Sequence, residues 1–276
     1  MPEEAERAWE TLYRWEWFRR AQWRPRFRGL KAGTSGGSCA AFTRIFHDLG
    51  GKLALDSSSG LGLKTIILKE MGVEVVGCDG CSFAVEKALE LARLEGCDVE
   101  YFTSRWAELP GRTGLRFDGI FNDALSWIVT REEFEASLEG FLGVLQPGGV
   151  LVFMGAAKGS TSDPQSRQAF FESFWRSRPR FSIEWTHEEG GTRCTSVQVR
   201  EKGDLFVDAH HLFLIEERDA LRLETATIRE PAYWSWAVLE EMFAKVGFAR
   251  LDTRTFPGMA RGGADLSLNI AAKPSK

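Results

Sequence analysis

Two acids stand at the ends of neighbouring apolar runs in the first third of the chain. Asp56 follows the run 53–55 and precedes a turn that contains Gly60 and Gly62, and Asp79 follows the run 73–77. A buried strand, a glycine-bearing turn, a helix and a second strand that ends in an acid form the first half of a nucleotide-binding βαβ unit. The pattern therefore predicts a nucleotide site.

The residues of the turn indicate which nucleotide fits. A dinucleotide needs room for its pyrophosphate, but Asp56 would repel phosphate and Thr65 occupies the third glycine position of the dinucleotide fingerprint. S-adenosylmethionine has a cationic amino-acid end and a ribose but no phosphate. We expect Asp56 to lie near the ammonium group of this ligand, in direct contact or through water. Gly60 and Gly62 should let the protein backbone approach the ligand, and Asp79 should accept hydrogen bonds from the ribose hydroxyls.

Composition restricts the partners and the compartment. A net charge of −4 over 276 residues argues against nucleic acid and favours a small-molecule partner. No apolar run approaches the roughly 20 residues of a membrane span and the first residues lack a signal pattern, so we expect no membrane partner and a cytoplasmic location. The five cysteines are scattered, and the pair Cys78 and Cys81 lacks a second pair at zinc-site spacing.

Hydrophobic periodicity predicts a helical start to the chain. Residues 3–23 carry an apolar stripe and four of the ten tryptophans, which predicts a helix that either packs on the body or closes over an active site as a lid. The basic, glycine-rich residues 24–38 are typical of a mobile connection. A second helix is predicted over 39–49.

The middle of the chain alternates between strand and helix patterns. Strands are predicted at 53–55, 73–77, 99–102, 119–121 and 150–154, with helices at 63–71, 83–94 and 131–144 and a turn at 146–149. This alternation is typical of a parallel sheet.

The pattern changes after Lys158. A helical passage at 167–175 precedes several alternating runs between 181 and 227 with short polar turns, which predict an antiparallel meander. A helix at 236–246 and strands at 249–255 and 266–272 return to the main sheet. We therefore predict an α/β fold: a Rossmann-like doubly wound seven-stranded sheet with an inserted antiparallel β-meander cap and an N-terminal helical extension. The predicted domains are 1–50, 51–157, 158–232 and 233–276.

Five landmarks follow one another in a familiar order: residues 56–62, Asp79, 104–106, 117–122 and 146–149. In this order they resemble the class I, seven-stranded S-adenosylmethionine-dependent methyltransferases. Ser58 in the first loop, Trp106 after the third strand and the inserted meander resemble the glycine and sarcosine N-methyltransferase branch. The resemblance implies that Arg105 and Trp106 lie along the adenine and that residues 122–125 line the methionine end. The predicted cofactor-binding residues are Asp56, Ser58, Gly60, Gly62, Asp79, Gly80, Arg105, Trp106, Asn122, Asp123 and Ala124.

Candidates for the acceptor side are aromatic, basic or histidine residues. The branch uses an arginine after its fifth strand to hold a substrate carboxylate, whereas residues 155–158 contain Lys158 as the candidate replacement. The predicted substrate-binding residues are Trp17, Trp127, Lys158 and Trp236. His210, His211 and Tyr233 are the catalytic candidates, although a histidine in a sheet is more often a packed residue. Tyr233 is equally interpreted as a packed aromatic.

The chemistry expected here needs no catalytic triad. In methyl transfer from a sulfonium the leaving group departs neutral, so the enzyme mainly aligns the acceptor and excludes water. An amine of a small molecule is the favoured acceptor, in a protein that could be a homo-oligomer. An O- or S-methyltransferase and a non-catalytic S-adenosylmethionine-binding protein remain as alternatives. Asn122 and Asp123 suggest metal-dependent O-methylation as another possibility, because an acid at this strand end can bind a metal ion. Residues 154–156, after the next strand, supply no further ligands, so no metal is expected.

Overall fold

A computed structural model describes residues 3–27, 34–155, 158, 163–203, 206–218, 220–230, 234–260 and 263–275. The helices are α1 Glu3–Phe18, α2 Arg20–Phe27, α3 Thr34–Asp48, α4 Leu63–Glu70, α5 Ser82–Glu95, α6 Leu109–Arg112, α7 Arg131–Val144, α8 Pro164–Ser177 and α9 Trp236–Val246. The strands are β1 Ala54–Asp56, β2 Val75–Asp79, β3 Tyr101–Thr103, β4 Phe117–Asn122, β5 Leu145–Phe153, β6 Phe181–Glu189, β7 Thr192–Lys202, β8 Val207–Glu217, β9 Ala220–Glu230, β10 Arg250–Phe256 and β11 Leu266–Ala272.

The chain divides into two compact units. Unit 1 comprises Met1–Arg26 and Gln168–Ala232, and unit 2 comprises Phe27–Arg167 and Tyr233–Lys276. Each unit therefore contains two segments that are distant in sequence.

Unit 2 is built on a seven-stranded mixed sheet in the order β10-β11-β5-β4-β1-β2-β3. Strands β1 to β5 are parallel, and β11 runs antiparallel to both β5 and β10. Strand β1 and the second half of β5 are fully buried, as expected for strands that are covered on both faces. Phe42 of α3 lies 5.2 Å from Phe121 of β4, and Phe243 of α9 stacks on Phe153 of β5. The predicted Rossmann-like sheet is confirmed.

Unit 1 contains a four-stranded antiparallel sheet in the order β6-β7-β8-β9, as the alternating pattern predicts. Helix α1 packs on one face of this sheet. The Trp15 ring stacks on Phe213 at 5.9 Å, and its Nε1 donates a hydrogen bond to Glu224 at 2.9 Å. Ala8 packs with Ala226 and Ile228. The helix thus completes a small core of its own with the meander.

The N-terminal predictions need correction. The expected helix at 3–23 is two helices, since α1 ends at Phe18 and α2 begins at Arg20. The stretch 24–38, expected to be a mobile connection, is helical at 24–27 and 34–38, and residues 28–33 lie outside the described part. Gly37 shows why glycine was misleading there: a Cβ at this position would lie 1.9 Å from the Met259 carbonyl oxygen. The glycine allows close packing.

The turn expected at 146–149 is also different. Strand β5 already begins at Leu145, which pairs with Phe117, and the register shifts before Gly119 pairs with Val150. A bulge therefore absorbs the Pro147 and glycine residues within the strand. A Cβ at Gly149 would lie about 3 Å from three carbonyl oxygens, so the bulge needs glycine there.

Candidate active site

The turn after β1 is organised around a buried carboxylate. Asp56 is fully buried, its Oδ2 accepts a hydrogen bond from Thr65 Oγ1 at 2.7 Å, and its Oδ1 faces the Ser58 amide at 3.4 Å. Burial raises the pKa of Asp56 to about 6, against the lowering effect of Thr65 and of the nearby Lys64 ammonium. Gly60 and Gly62 have φ values of 50° and 87°, which allow the chain to turn sharply into α4.

Asp79 lies at the carboxyl end of β2, held by the same turn. Its Oδ2 accepts a hydrogen bond from the Gly60 amide and its Oδ1 one from the Cys81 amide, both at 2.9 Å. These two bonds fix the plane of the carboxylate. Because each carboxylate oxygen can accept more than one hydrogen bond, this arrangement is compatible with the predicted ribose contact.

The turn and the end of β4 are joined through Asp123. Ser58 Oγ donates to Asp123 Oδ1 at 2.8 Å, and the Asp123 amide donates back to Ser58 Oγ at 3.1 Å. The Asp123 Oδ2 forms an ion pair with Lys64 Nζ from the first turn of α4. The sequence prediction missed Lys64; its position directly after the glycine turn was the available signal.

Asn122 also connects the turn after β1 with the residues after β4. Its amide nitrogen donates to Ser57 Oγ at 2.9 Å, and its Oδ1 accepts from the Ala124 amide at 2.9 Å. The Ser57 carbonyl in turn accepts from Trp106 Nε1, and the Trp106 ring packs at 5.8 Å from Phe141 of α7. Trp106 thereby holds the turn in place. This role is separate from its predicted contact with adenine.

The remaining cofactor candidates stand near the ends of β2 and β3. Gly80 is open, since a Cβ there would meet only the Ser104 carbonyl oxygen at 3.9 Å. Arg105 is exposed, directly before the short helical turn Trp106–Glu108. Their contacts with adenine and ribose stay predictions.

The structure also places the substrate-binding candidates. In unit 2, Lys158 is exposed, with its amide bonded to Thr253 Oγ1 at 2.9 Å and its Nζ 3.8 Å from Asp252. Trp127 is 36% exposed after β4, whereas Trp236 at the start of α9 is 5% exposed in the core. In unit 1, Trp17 is buried under the guanidinium of Arg20.

The two histidines lie on opposite faces of β8. His211 is on the buried face, 3.2 Å from Gln198 Nε2 and stacked with Phe213, and burial lowers its pKa to about 4. His210 is on the other face, with Nδ1 3.0 Å from Thr227 Oγ1. Tyr233 lies outside the described residues. The catalytic assignment of all three stays a prediction.

Three further features concern the described residues alone. No three His, Cys, Asp or Glu side chains among them are grouped so that they could hold a metal ion. No described helix is both long and apolar enough to span a bilayer. Cys78 is buried with its thiol bonded to the Ser104 carbonyl oxygen at 3.5 Å.

Residues 54–149, which contain the turn, Asp79 and Asp123, match the family described as a methyltransferase domain. The chain contains a methyltransferase domain. The cofactor of this domain is S-adenosylmethionine. No curated protein matches the chain.

Solved structures with the same fold as this methyltransferase share little sequence with it. The sugar N-methyltransferase KedS8 from Streptoalloteichus is 11% identical with a TM-score of 0.65, and the match covers 87% of this chain and 88% of that one. An S-adenosylmethionine-dependent methyltransferase from Clostridium acetobutylicum is 12% identical, with a TM-score of 0.60 and coverages of 87% and 92%. CalS10, an amino pentose methyltransferase from Micromonospora echinaspora solved with S-adenosylmethionine, is 16% identical, with a TM-score of 0.58 and coverages of 91% and 96%.

The site residues of the methyltransferase domain fit the cofactor. Ligands of open α/β sheets bind outside the carboxyl ends of the strands. At that edge the chain presents the glycine turn after β1, the amide-held carboxylate of Asp79 after β2 and the Lys64–Asp123 pair after β4. A ribose and a charged amino-acid end both find complementary groups in this set.

Proposed function

We propose that the protein transfers the methyl group of S-adenosylmethionine to an amine nitrogen of a small molecule, such as an amino acid, an amino sugar or a related metabolite. The observation that carries the proposal is the Asp79 carboxylate, fixed by the amides of Gly60 and Cys81 at the edge of a methyltransferase sheet. The sugar N-methyltransferase of the same fold supports nitrogen as the acceptor atom, and the amino pentose methyltransferase supports a small molecule that carries an amine.

The cofactor supplies a methyl group on a sulfonium, which an acceptor lone pair displaces in line. The carboxylates of Asp56, Asp79 and Asp123 place negative charge at this edge of the sheet, which favours a cationic ligand there. Holding the acceptor and the methyl group in line and excluding water supplies several kcal/mol of the barrier reduction.

A neutral amine suits this site because it brings its own lone pair. Of the histidine candidates, His211 has a pKa of about 4 and is a weak base at neutral pH. The acceptor ammonium would then lose its proton to water before transfer. This route predicts that kcat/KM rises with pH and levels off above the pKa of the acceptor's own ammonium group.

The test is a methyl-transfer assay with S-adenosylmethionine and paired acceptors. Each amine (an amino sugar, glycine, sarcosine) is matched with the compound that carries a hydroxyl in its place, and a catechol and a thiol complete the set. Mass spectrometry of the products identifies the methylated atom. We expect transfer to at least one amine and none to its hydroxyl partner.

Other outcomes would identify the alternatives. Transfer only to a hydroxyl or a thiol contradicts the proposal and indicates an O- or S-methyltransferase. Cofactor binding without transfer to any acceptor favours a non-catalytic binding protein. Within the amines, glycine and sarcosine test the resemblance to their branch, and a Lys158→Met variant should raise KM only for acceptors that carry a carboxylate.

A further inference from the structure

The strand order of unit 2 arranges the candidate cofactor residues in a row. Strands β3, β2, β1 and β4 are neighbours in the sheet, so the residues after them follow one another along its edge. Arg105 follows β3, Asp79 ends β2, Asp56 ends β1 and Asp123 follows β4. S-adenosylmethionine has the matching linear order of adenine, ribose, sulfonium and α-amino acid. With Asp79 on the ribose, the α-amino acid end lies toward Asp56 and Asp123.

Lys64 brings a positive charge to this end of the row. Its Nζ forms an ion pair with Asp123 Oδ2, while Ser58 holds the other oxygen of that carboxylate at 2.8 Å. The Lys64 and Asp123 side chains are 23% and 19% exposed, so the pair is largely shielded but still reachable from solvent. The neighbouring Asp56 also interacts electrostatically with the ammonium of Lys64.

The charges match those of an α-amino acid. The methionine end of the cofactor carries an ammonium and a carboxylate on one carbon, so it needs an anionic and a cationic partner side by side. Asp56 and Asp123 are the anions, and Lys64 forms an ion pair with Asp123 and interacts electrostatically with Asp56. Lysine recognises a carboxylate as a point charge with three donors, so it can bond Asp123 and a second carboxylate together.

We infer that Lys64 binds the carboxylate of the methionine end of S-adenosylmethionine. Asp123, which Ser58 holds in place, positions the ammonium group of Lys64 for this contact. This inference deepens the proposed function because it rests on the cofactor, but it does not depend on the acceptor. Lys64 would then select ligands that carry the complete amino acid.

Calorimetric titration with three ligands tests the inference. S-adenosylhomocysteine carries the α-amino acid, its decarboxylated form keeps only the amine, and 5′-methylthioadenosine lacks both. In the wild type we expect decarboxylation to weaken binding about tenfold or more. The Lys64→Met variant should lose about tenfold for S-adenosylhomocysteine and stay within about twofold for 5′-methylthioadenosine.

Matched variants make the result specific. Lys69→Met removes another lysine of α4, which pairs with Glu74, and should change none of the three affinities. Asp79→Asn should weaken all three ligands, because all contain the ribose. Lys64→Arg retains the charge and should keep a clear preference for S-adenosylhomocysteine over its decarboxylated form.

The inference is wrong if the wild type binds S-adenosylhomocysteine and its decarboxylated form equally, a result that needs no variant to fold. It is also wrong if Lys64→Met weakens S-adenosylhomocysteine and 5′-methylthioadenosine alike. Failure of the wild type to bind any of the three ligands would instead contradict the cofactor itself. Absence of methyl transfer to amines, with these binding results intact, would contradict only the proposed acceptor.

Discussion

At the scale of single residues, Asp56 combines a predicted cofactor contact with a cost in stability. Its carboxylate is fully buried, and burial raises its pKa from 3.8 to about 6. A carboxyl group whose pKa is raised by folding stabilises the fold while it is protonated, and this contribution is lost as the pH rises through the folded pKa. The shift corresponds to roughly 3 kcal/mol, lost between about pH 4 and pH 6.

We therefore expect Asp56→Asn to be more stable relative to the wild type at higher pH. The difference in unfolding free energy should grow by about 1 kcal/mol between about pH 5 and about pH 8, as measured by urea unfolding. Binding of S-adenosylmethionine should weaken because the anion is lost. Asp98→Asn, an exposed acid, is the matched control and should show no such growth. A difference that stays constant with pH would contradict the raised pKa.

The sequence predicted some of these residues and missed others for a physical reason. Asp56 and Asp79 could be predicted because an acid directly after a buried apolar run must lie at the end of a strand. Lys64 and Ser57 were missed because a lysine in the first turn of a helix and a serine in a loop are usually surface residues, and the position of Lys64 directly after the glycine turn was the one signal available. Their contacts with Asp123 and Asn122 form only when β1 and β4 pair.

At the scale of elements, α7 is pressed against the turn that carries Trp106. A Cβ at Gly140 of α7 would lie 1.9 Å from the Trp106 carbonyl oxygen, so only glycine allows this approach. Trp106 bonds through its Nε1 to the Ser57 carbonyl next to the cofactor turn. Helix α7 therefore supports the predicted cofactor site through Trp106.

Replacing Gly140 with alanine tests this support. Alanine normally stabilises a helix interior by about 0.5–1 kcal/mol relative to glycine, but here we expect a loss of about 1–3 kcal/mol from overpacking. Displacement of Trp106 should also weaken S-adenosylhomocysteine several-fold in calorimetry. Gly111→Ala is the matched control, since nothing lies within 4 Å of a Cβ there. An unchanged or higher Tm for Gly140→Ala would show that the contact is not tight.

Periodicity predicted the elements best where an apolar face is covered along its whole length. Helix α7, helix α9 and strand β11 have the predicted bounds. The glycines before residue 38 misled the prediction because local sequence does not distinguish a glycine of a mobile connection from one that admits a packed backbone. Met259, the residue that Gly37 contacts, is more than two hundred positions away in the chain.

At the scale of the whole molecule, the predicted residues divide between the two units. All predicted cofactor-binding residues belong to unit 2, while α1 supplies core residues to unit 1. The roles of α1 as a lid and of the meander as a substrate cap stay predictions.

Deleting residues 1–23 separates these roles. The truncated protein should bind S-adenosylhomocysteine with an affinity close to that of the full chain, because the predicted cofactor-binding residues of unit 2 are intact. Unit 1 should lose its packed aromatic core and the protein its methyl-transfer activity. Near-ultraviolet circular dichroism, calorimetry and the transfer assay measure the three properties. Full activity after the deletion would reduce α1 to a packing element, and loss of cofactor binding would contradict the division of roles.

The distance in sequence between α1 and its partners also decides when this helix can pack during synthesis. Arg14 bonds Glu224 across 210 positions of the chain. At about 5–20 residues per second, a ribosome needs roughly 10–40 s to make the intervening residues. During that interval the apolar stripe of Ala8, Leu12 and Trp15 has no sheet to cover it, although the strands of the methyltransferase domain have already emerged. Helix α1 is therefore made long before the strands on which it docks.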